Sequence, residues 1–302
     1  MSSSTRVSTT TDPCPTAAKV ARWQQGRDAW RRFQRHRVAM AGLLILGGMG
    51  LLVLTARFWT TQDPTRQQLS QVLRPLSLQH PCGTDHLGRD MLARLLYGGR
   101  LSLLIGGIAV IIGLVFGVPL GALSGFRGGL TDILLQRLAD VLLSFPGFLL
   151  ALALASMLGV GLRNVVIAVG ISAIPSFMRL VRGSVLTVRE YLFVEAARAL
   201  GQHPLLIVLR HILPHTLAPI IVQATLNLGS SILLAAGLGF LGLGVQPPTA
   251  EWGTMLGEGR QYIFRAPLLT VFPGVAIFLA VLGFNLLGDG LRDALDPRMS
   301  QL

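Results

Sequence analysis

Long stretches of the sequence contain no Asp, Glu, Lys or Arg. The hydrocarbon core of a bilayer is about 30 Å thick, and a helix needs roughly 20 residues to cross it. Only 13% of the residues are charged, whereas about a quarter are charged in an ordinary soluble domain. The pattern predicts an all-α polytopic membrane protein with six transmembrane helices and argues against a soluble enzyme. The six predicted spans are residues 38–56, 101–126, 141–162, 164–178, 216–238 and 266–288.

These spans divide the basic residues unevenly. Six crossings place both termini on one side, and if that side is the cytoplasm, the inner segments hold 17 Lys and Arg and the outer segments hold 9. Cytoplasmic segments of membrane proteins carry such an excess. The net charge of +12 is then explained by topology and by attraction to anionic lipid, and it requires no nucleic acid.

The order of polar and apolar segments predicts the organisation of the chain. Trp23, Trp30 and Phe33 lie among arginines before the first span, which is typical of an amphipathic segment on membrane lipid. The predicted regions are a cytoplasmic tail at 1–37, a first transmembrane helix at 38–56, a periplasmic loop at 57–100, a five-helix core at 101–290 with a cytoplasmic loop at 179–215, and a cytoplasmic tail at 291–302.

The loop between the fourth and fifth spans predicts two short helices. Ser184 is suited to capping the first helix and Gly201 to ending it in the left-handed conformation, and Pro204 prevents its continuation. Two alanines after an acid leave a narrow helix face that fits a groove on a partner; an incidental triplet on a surface helix is the alternative. The residues singled out are Glu195, Ala196, Ala197, Gly201, Leu213 and Pro214.

Together, the Glu-Ala-Ala triplet, the glycine and the Leu-Pro pair resemble the EAA loop of permease subunits of bacterial ABC importers. The resemblance implies that these six residues couple the permease to an ATP-binding subunit, whose cleft takes the helix before the glycine. His211 stands where that family usually has Ile. This departure leaves the implied docking role intact.

Three further segments, 83–90, 240–253 and 288–298, resemble the C-type permeases of dipeptide, oligopeptide and nickel importers. The resemblance implies the type I ABC importer permease fold and a place in the bacterial inner membrane. It also implies partners: a second, B-type permease subunit, two ATP-binding subunits that hold ATP and Mg, and a periplasmic solute-binding protein.

Polar residues recur within the last two spans. Because polar atoms that face lipid are costly, these residues should face protein or water. Hydrogen bonding between helices is favoured, and lining of a solute path is the alternative. The residues are Gln223, Asn227, Ser230, Ser231 and Asn285.

Four potential metal ligands, His80, Cys82, Asp85 and His86, lie within seven residues. Adjacent residues of one loop rarely provide metal-binding geometry without further ligands. No metal site is therefore assigned. Thr84 or Asp85 is instead expected to cap a short external helix.

No pattern in the sequence predicts catalysis, and no catalytic residue is assigned. The phosphate-binding pattern G-x-x-x-x-G-K-[ST] does not occur, so ATP and Mg are expected on partner subunits and no cofactor on this chain. No acid lies near the middle of a span, where a proton- or sodium-coupled carrier normally needs one.

The sequence thus predicts a transmembrane permease subunit of an ATP-driven importer. It would form half of the translocation pathway for dipeptides, oligopeptides or similar small solutes. A nickel, metallophore or glutathione importer permease remains an alternative. Two other classes also stay open: a self-contained secondary transporter or channel, and a membrane scaffold without transport.

Overall fold

The computed structural model describes Phe33, Gln34 and residues 36–295, and it is built from helices. Most of the predicted amphipathic segment and the end of the C-terminal tail lie outside the described residues. The helices are α1 (Arg37–Leu54), α2 (Ala56–Trp59), α3 (Met91–Arg127), α4 (Gly129–Ser144), α5 (Gly147–Leu158), α6 (Leu162–Val188), α7 (Leu192–Ala199), α8 (Pro204–Ile207), α9 (Leu213–Phe240), α10 (Trp252–Gly259) and α11 (Leu268–Leu295).

Five helical segments of the described chain are long and apolar enough to cross a membrane. They are α1, α3, α6, α11 and the continuous stretch Pro204–Phe240, which joins α8 to α9. The pair α4 and α5 makes a sixth if it is one span broken by a bend of 93°. The predicted all-α polytopic fold is confirmed, with a bent pair in place of one straight helix.

The break between α4 and α5 falls inside the run 141–162, which was expected to be a single span. Proline has no N–H to donate and disfavours the helical conformation of the residue before it. Accordingly, Phe145 is extended, with ψ of 137°, and α5 resumes after Pro146. The prediction of one helix over 141–162 is therefore wrong.

Helix α3 begins ten residues before its predicted start at residue 101. Asp90 caps it, because its Oδ1 atom accepts a hydrogen bond of 2.7 Å from the backbone N–H of Ala93. Asp85 instead accepts bonds from the N–H groups of Leu87 and Arg89 within a turn. The expectation that Thr84 or Asp85 caps a separate short helix is wrong.

Helix α6 continues to Val188, ten residues beyond the predicted end of the fourth span. It can carry Arg182 there because Asp132 of α4 accepts two hydrogen bonds from the guanidinium, at 2.5 Å from Nε and 2.7 Å from Nη2. Ser184 lies inside α6 and donates to the carbonyl of Leu180. The prediction that Ser184 caps the following helix is therefore wrong, and Tyr191 occupies that position.

Glycines allow the long helices to approach closely. Gly113, Gly117, Gly121 and Gly125 recur every four residues on α3 and face α6. A Cβ atom on Gly121 would lie 2.4 Å from the carbonyl oxygen of Met178. Such small-residue spacing is a known basis of helix packing in membranes. α1 packs on α11 in the same way, since a Cβ atom on Gly42 would lie 2.8 Å from the backbone nitrogen of Leu287.

Candidate functional site

The helix that carries the Glu-Ala-Ala triplet, α7, ends in a well-formed C-cap. Gly201 has φ of +70°, so its predicted left-handed conformation is confirmed. Its N–H donates to the carbonyl of Arg198 at 2.9 Å, and the N–H of Gln202 donates to the carbonyl of Ala197 at 3.2 Å. This pair of bonds defines a Schellman motif, which turns the chain sharply after the helix.

The two sides of α7 differ in exposure. Val194 and Ala197 are buried against Val185 and Ile212, in an apolar cluster at the ends of α6 and α9. Glu195 and Ala196 face outward, and the exposed fractions of Leu192 and Leu200 are 82% and 79%. The two alanines of the triplet therefore serve different surfaces, since only Ala196 lies on the outward face.

Further side-chain contacts attach α7, and the turn that precedes it, to the long helices. The guanidinium of Arg198 lies over the ring of Phe126 near the end of α3, 5.2 Å from its centroid. Arg189 follows α6 and donates from Nη1 to the carbonyl of Gly125 at 2.9 Å. Phe193 stacks on His215 of α9 at 4.9 Å. α7 is thus attached to α3, α6 and α9 together.

The return from α7 to the membrane is shaped by two prolines. Pro204 was predicted to prevent continuation of the first helix, and it is the first residue of α8, the second short helix. A wide π-helical turn, Val208–Ile212, follows, and the N–H of Leu213 donates to the carbonyl of Val208. Pro214 has no N–H to donate and is accommodated as the second residue of α9. His211 contacts the Oε1 atom of Gln202 through Nε2 at 2.9 Å, which closes the loop.

The predicted polar residues of the last two spans differ in their surroundings. Asn227 and Ser230 donate to the backbone carbonyls of Gln223 and Leu226 within α9, so these two hydrogen bonds do not join helices. Ser231 is buried. Asn285 of α11 lies beside Gly229 of α9, because a Cβ atom there would be 3.5 Å from the Oδ1 atom of Asn285.

Gln223 lines an open cavity of about 390 Å³ at the surface where α4, α6 and α9 meet. Its other lining residues are Leu143, Ser176, Arg179 and Leu180. Gln223 thus lines an open cavity, whereas Ser231 is buried and Asn285 lies beside α9.

A buried charge cluster lies near the start of α3, at the other end of this helix from α7. It was not apparent from the sequence. Arg89 and Arg94 are almost completely buried, and both donate to the Oε2 atom of Glu258 in α10, at 3.0 and 2.7 Å from Nη2. Arg89 also donates from Nε to Asp85 at 2.6 Å. Two cations and two anions balance, as buried charges must.

The four potential metal ligands of the external loop do not converge. The Nδ1 atom of His80 contacts Asp90 at 2.7 Å, and its Nε2 atom contacts Gln71 at 3.0 Å. Burial, with a smaller effect of Asp90, raises the pKa of the Cys82 thiol, which disfavours the thiolate that would bind a metal. Asp85 and His86 approach Glu258, but the arginines already neutralise both carboxylates.

Comparison with known proteins relates this arrangement to transport systems. Over 273 residues, 90% of each chain, the sequence is 47% identical to the dipeptide transport system permease protein DppC of Alkalihalophilus pseudofirmus. Over 271 residues, 89% of each chain, it is 48% identical to the glutathione transport system permease protein GsiD of Escherichia coli. The fold resembles a chain of the inward-facing MetNI methionine ABC transporter, with a TM-score of 0.55 and 22% identity over 68% of this chain and 98% of that one.

Two family models match the sequence. Residues 117–301 match the binding-protein-dependent transport system inner membrane component, and residues 24–81 match the N-terminal transmembrane domain of oligopeptide transport permease C. These matches confirm the predicted C-type permease, and the structural likeness confirms the predicted type I fold. The chain therefore belongs to the family of binding-protein-dependent transport system inner membrane components and is a permease subunit of an ABC importer.

Proposed function

We propose that this permease forms one half of the translocation pathway for dipeptides, oligopeptides or similar small solutes. The dipeptide and glutathione permeases that it resembles support this solute class. Its proposed partners are a second, B-type permease subunit, two ATP-binding subunits and a periplasmic solute-binding protein. ATP and Mg are bound by the ATP-binding subunits, because the sequence of this chain lacks the phosphate-binding loop.

The proposed location is the bacterial inner membrane, with both termini in the cytoplasm. The excess of Lys and Arg in the segments on that side, 17 against 9, supports this orientation. α7 then lies in the cytoplasm, where ATP-binding subunits are found. The cluster of Arg89, Arg94 and Glu258 lies at the periplasmic surface.

The outward face of α7 is the observation that carries the coupling proposal. Leu192 and Leu200 are apolar and largely exposed on a helix that is firmly attached on its other side. An exposed apolar surface of this kind marks a protein interface. Docking to an ATP-binding subunit accounts for this surface, whereas a self-contained secondary transporter does not require one.

Coupling follows from the attachments of α7. Closure of the two ATP-binding subunits on ATP draws α7 and its counterpart in the second permease together. Because Val194 and Ala197 are buried among residues of α6 and α9, these helices move with α7 and open the pathway outward. The solute then enters from the binding protein, and its release to the cytoplasm follows ATP hydrolysis.

Substitution of Ala196 by Arg tests the docking. The change adds a charge at the centre of the outward face, and we expect the amount of ATP-binding subunits that co-purify with the permease in mild detergent to fall more than about tenfold, because an interface charge without a partner is costly. Gln67→Arg adds the same side chain at an exposed position of the external loop and should leave co-purification unchanged. Full co-purification of the Ala196→Arg variant would contradict docking through this face.

A further inference from the structure

The residues that line the cavity with Gln223 come from three helices and lie at the same height along them. Val165 and Leu238 belong to one apolar cluster, and Val185 and Ile212 belong to another. The start of α6 therefore lies near the end of α9 and the end of α6 near the start of α9, so the two helices run antiparallel. Arg179 is 17 residues from the start of α6, and Gln223 is 17 residues from the end of α9, about 26 Å in both helices. Their side chains therefore meet at the same depth, beside the bend that follows α4.

The charges at this level are not buried within the chain. Arg179 donates from Nη2 to the Oδ1 atom of Asp140 at 2.5 Å, and both side chains are 54% exposed. In the proposed topology, Asp140 directly precedes the third span and Arg179 directly follows the fourth, so both lie at the cytoplasmic boundary of the membrane. An ion pair this exposed is solvated there. The cavity is therefore open to water from the cytoplasmic side, as the inner end of a solute path must be.

The polar groups that line the cavity have hydrogen-bonding capacity to spare. One guanidinium nitrogen of Arg179 donates to Asp140, and the other guanidinium nitrogens carry further N–H donors. Within the described chain, neither the hydroxyl of Ser176 nor the side-chain amide of Gln223 bonds to another residue. Asp140 is not among the residues that line the cavity, but it pairs with Arg179 from beside it, so a solute carboxylate would share the guanidinium with Asp140.

We propose that this cavity is a subsite for the carboxylate of the transported solute. Arg179 pairs with the carboxylate, and Ser176 and Gln223 donate hydrogen bonds to it or to the adjoining amide. A guanidinium is well matched to a carboxylate because its parallel N–H groups bind both oxygens. The inference rests on the proposed function, since it requires that peptide-like solutes pass through this chain.

Protection of an introduced thiol tests the subsite. Ser176→Cys is placed in a variant in which Cys14 and Cys82 are changed to Ser, and the complex is assembled without binding protein or nucleotide. The measurement is the rate at which a charged, water-soluble thiol reagent modifies the introduced thiol. We expect the concentration of alanyl-alanine that halves the modification rate to be about tenfold or more below that of alanyl-alanine amide, because a hydrogen bond to a charged group contributes at least that factor to affinity.

Substitutions of arginine separate the subsite from a general effect of charge. Arg179→Gln should abolish the difference in protection between alanyl-alanine and its amide. Arg179→Lys should retain part of this difference, because lysine keeps the positive charge but lacks the parallel N–H groups of arginine. Arg137→Gln removes a charge from an exposed position of α4 that does not line the cavity, and it should preserve the difference.

Three results would overturn the subsite: no modification of the introduced thiol, equal protection by the peptide and its amide, or an unchanged difference in the Arg179→Gln variant. Uptake by the complete system separates these failures from failure of the proposed function. If alanyl-alanine is imported with ATP but does not protect the thiol, the proposed subsite is wrong and the proposed importer function is unaffected. If no peptide is imported, the proposed function falls.

Discussion

Replacement of Gly201 by Val is expected to uncouple transport from ATP while the permease still inserts in the membrane. Gly201 has φ of +70°, and a β-branched residue in the left-handed region costs roughly 1–3 kcal/mol. A Cβ atom there would meet nothing within 4 Å, so the effect acts on the backbone and not through a clash. We expect ATP-driven uptake to fall about tenfold, because the C-cap that holds α7 in its orientation is lost.

Gly201→Asn is the matched control, because asparagine tolerates the left-handed conformation better than other residues with a Cβ atom. It should retain most of the uptake. Gly183→Val provides a second control, since Gly183 lies in helical α6 and also has open space around it. Full ATP-driven uptake by the Gly201→Val variant at a normal membrane level would refute the coupling role of the C-cap.

Replacement of Glu258 by Gln is expected to have the largest effect on stability. Glu258 accepts bonds from Arg89 and Arg94, whose side chains are at most 1% exposed. Removal of one partner from a buried ion pair costs about 3–5 kcal/mol, because it leaves buried charge without compensation. We expect a clearly lower thermal denaturation midpoint of the purified complex in detergent, and a lower amount of the permease in the membrane.

Two further variants test whether the loss of stability in Glu258→Gln is caused by uncompensated buried charge. Glu190→Gln removes the partner of Arg189, but Glu190 is 71% exposed, so this change should cost at most about 1 kcal/mol. The double variant Glu258→Gln with Arg94→Gln restores the charge balance with Arg89 and Asp85, and it should be more stable than the sum of the two single changes predicts. Equal losses in the Glu258→Gln and Glu190→Gln variants would contradict the buried cluster.

The sequence predicted the features that depend on local composition. Long uncharged runs predicted most of the membrane helices, and the glycine at 201 predicted its own left-handed conformation, because only nearby residues decide these features. The four-residue spacing of Gly113, Gly117, Gly121 and Gly125 was an additional local signal, and it could have predicted the close packing of α3 on another helix.

Features that depend on distant residues were missed. The break of the run 141–162 does not belong to this class, because Pro146 lies within the run. The end of α6 does depend on a distant residue, since Asp132, fifty residues before Arg182, allows α6 to carry that arginine beyond the predicted limit at 178. Glu258 is 169 residues from Arg89, so no spacing in the sequence indicated their contact. The polar residues of α9 looked alike in sequence, and only the packing separates Gln223 at the cavity from buried Ser231.

ATP-driven uptake by the reconstituted system tests the central claim most directly. The permease is placed in proteoliposomes with its second permease and two ATP-binding subunits, with the binding protein added to one side and ATP to the other, and accumulation of labelled alanyl-alanine is measured. We expect accumulation that requires both ATP and the binding protein, and none when the permease is reconstituted alone. Accumulation by the permease alone, driven by an ion gradient without ATP, would contradict the account.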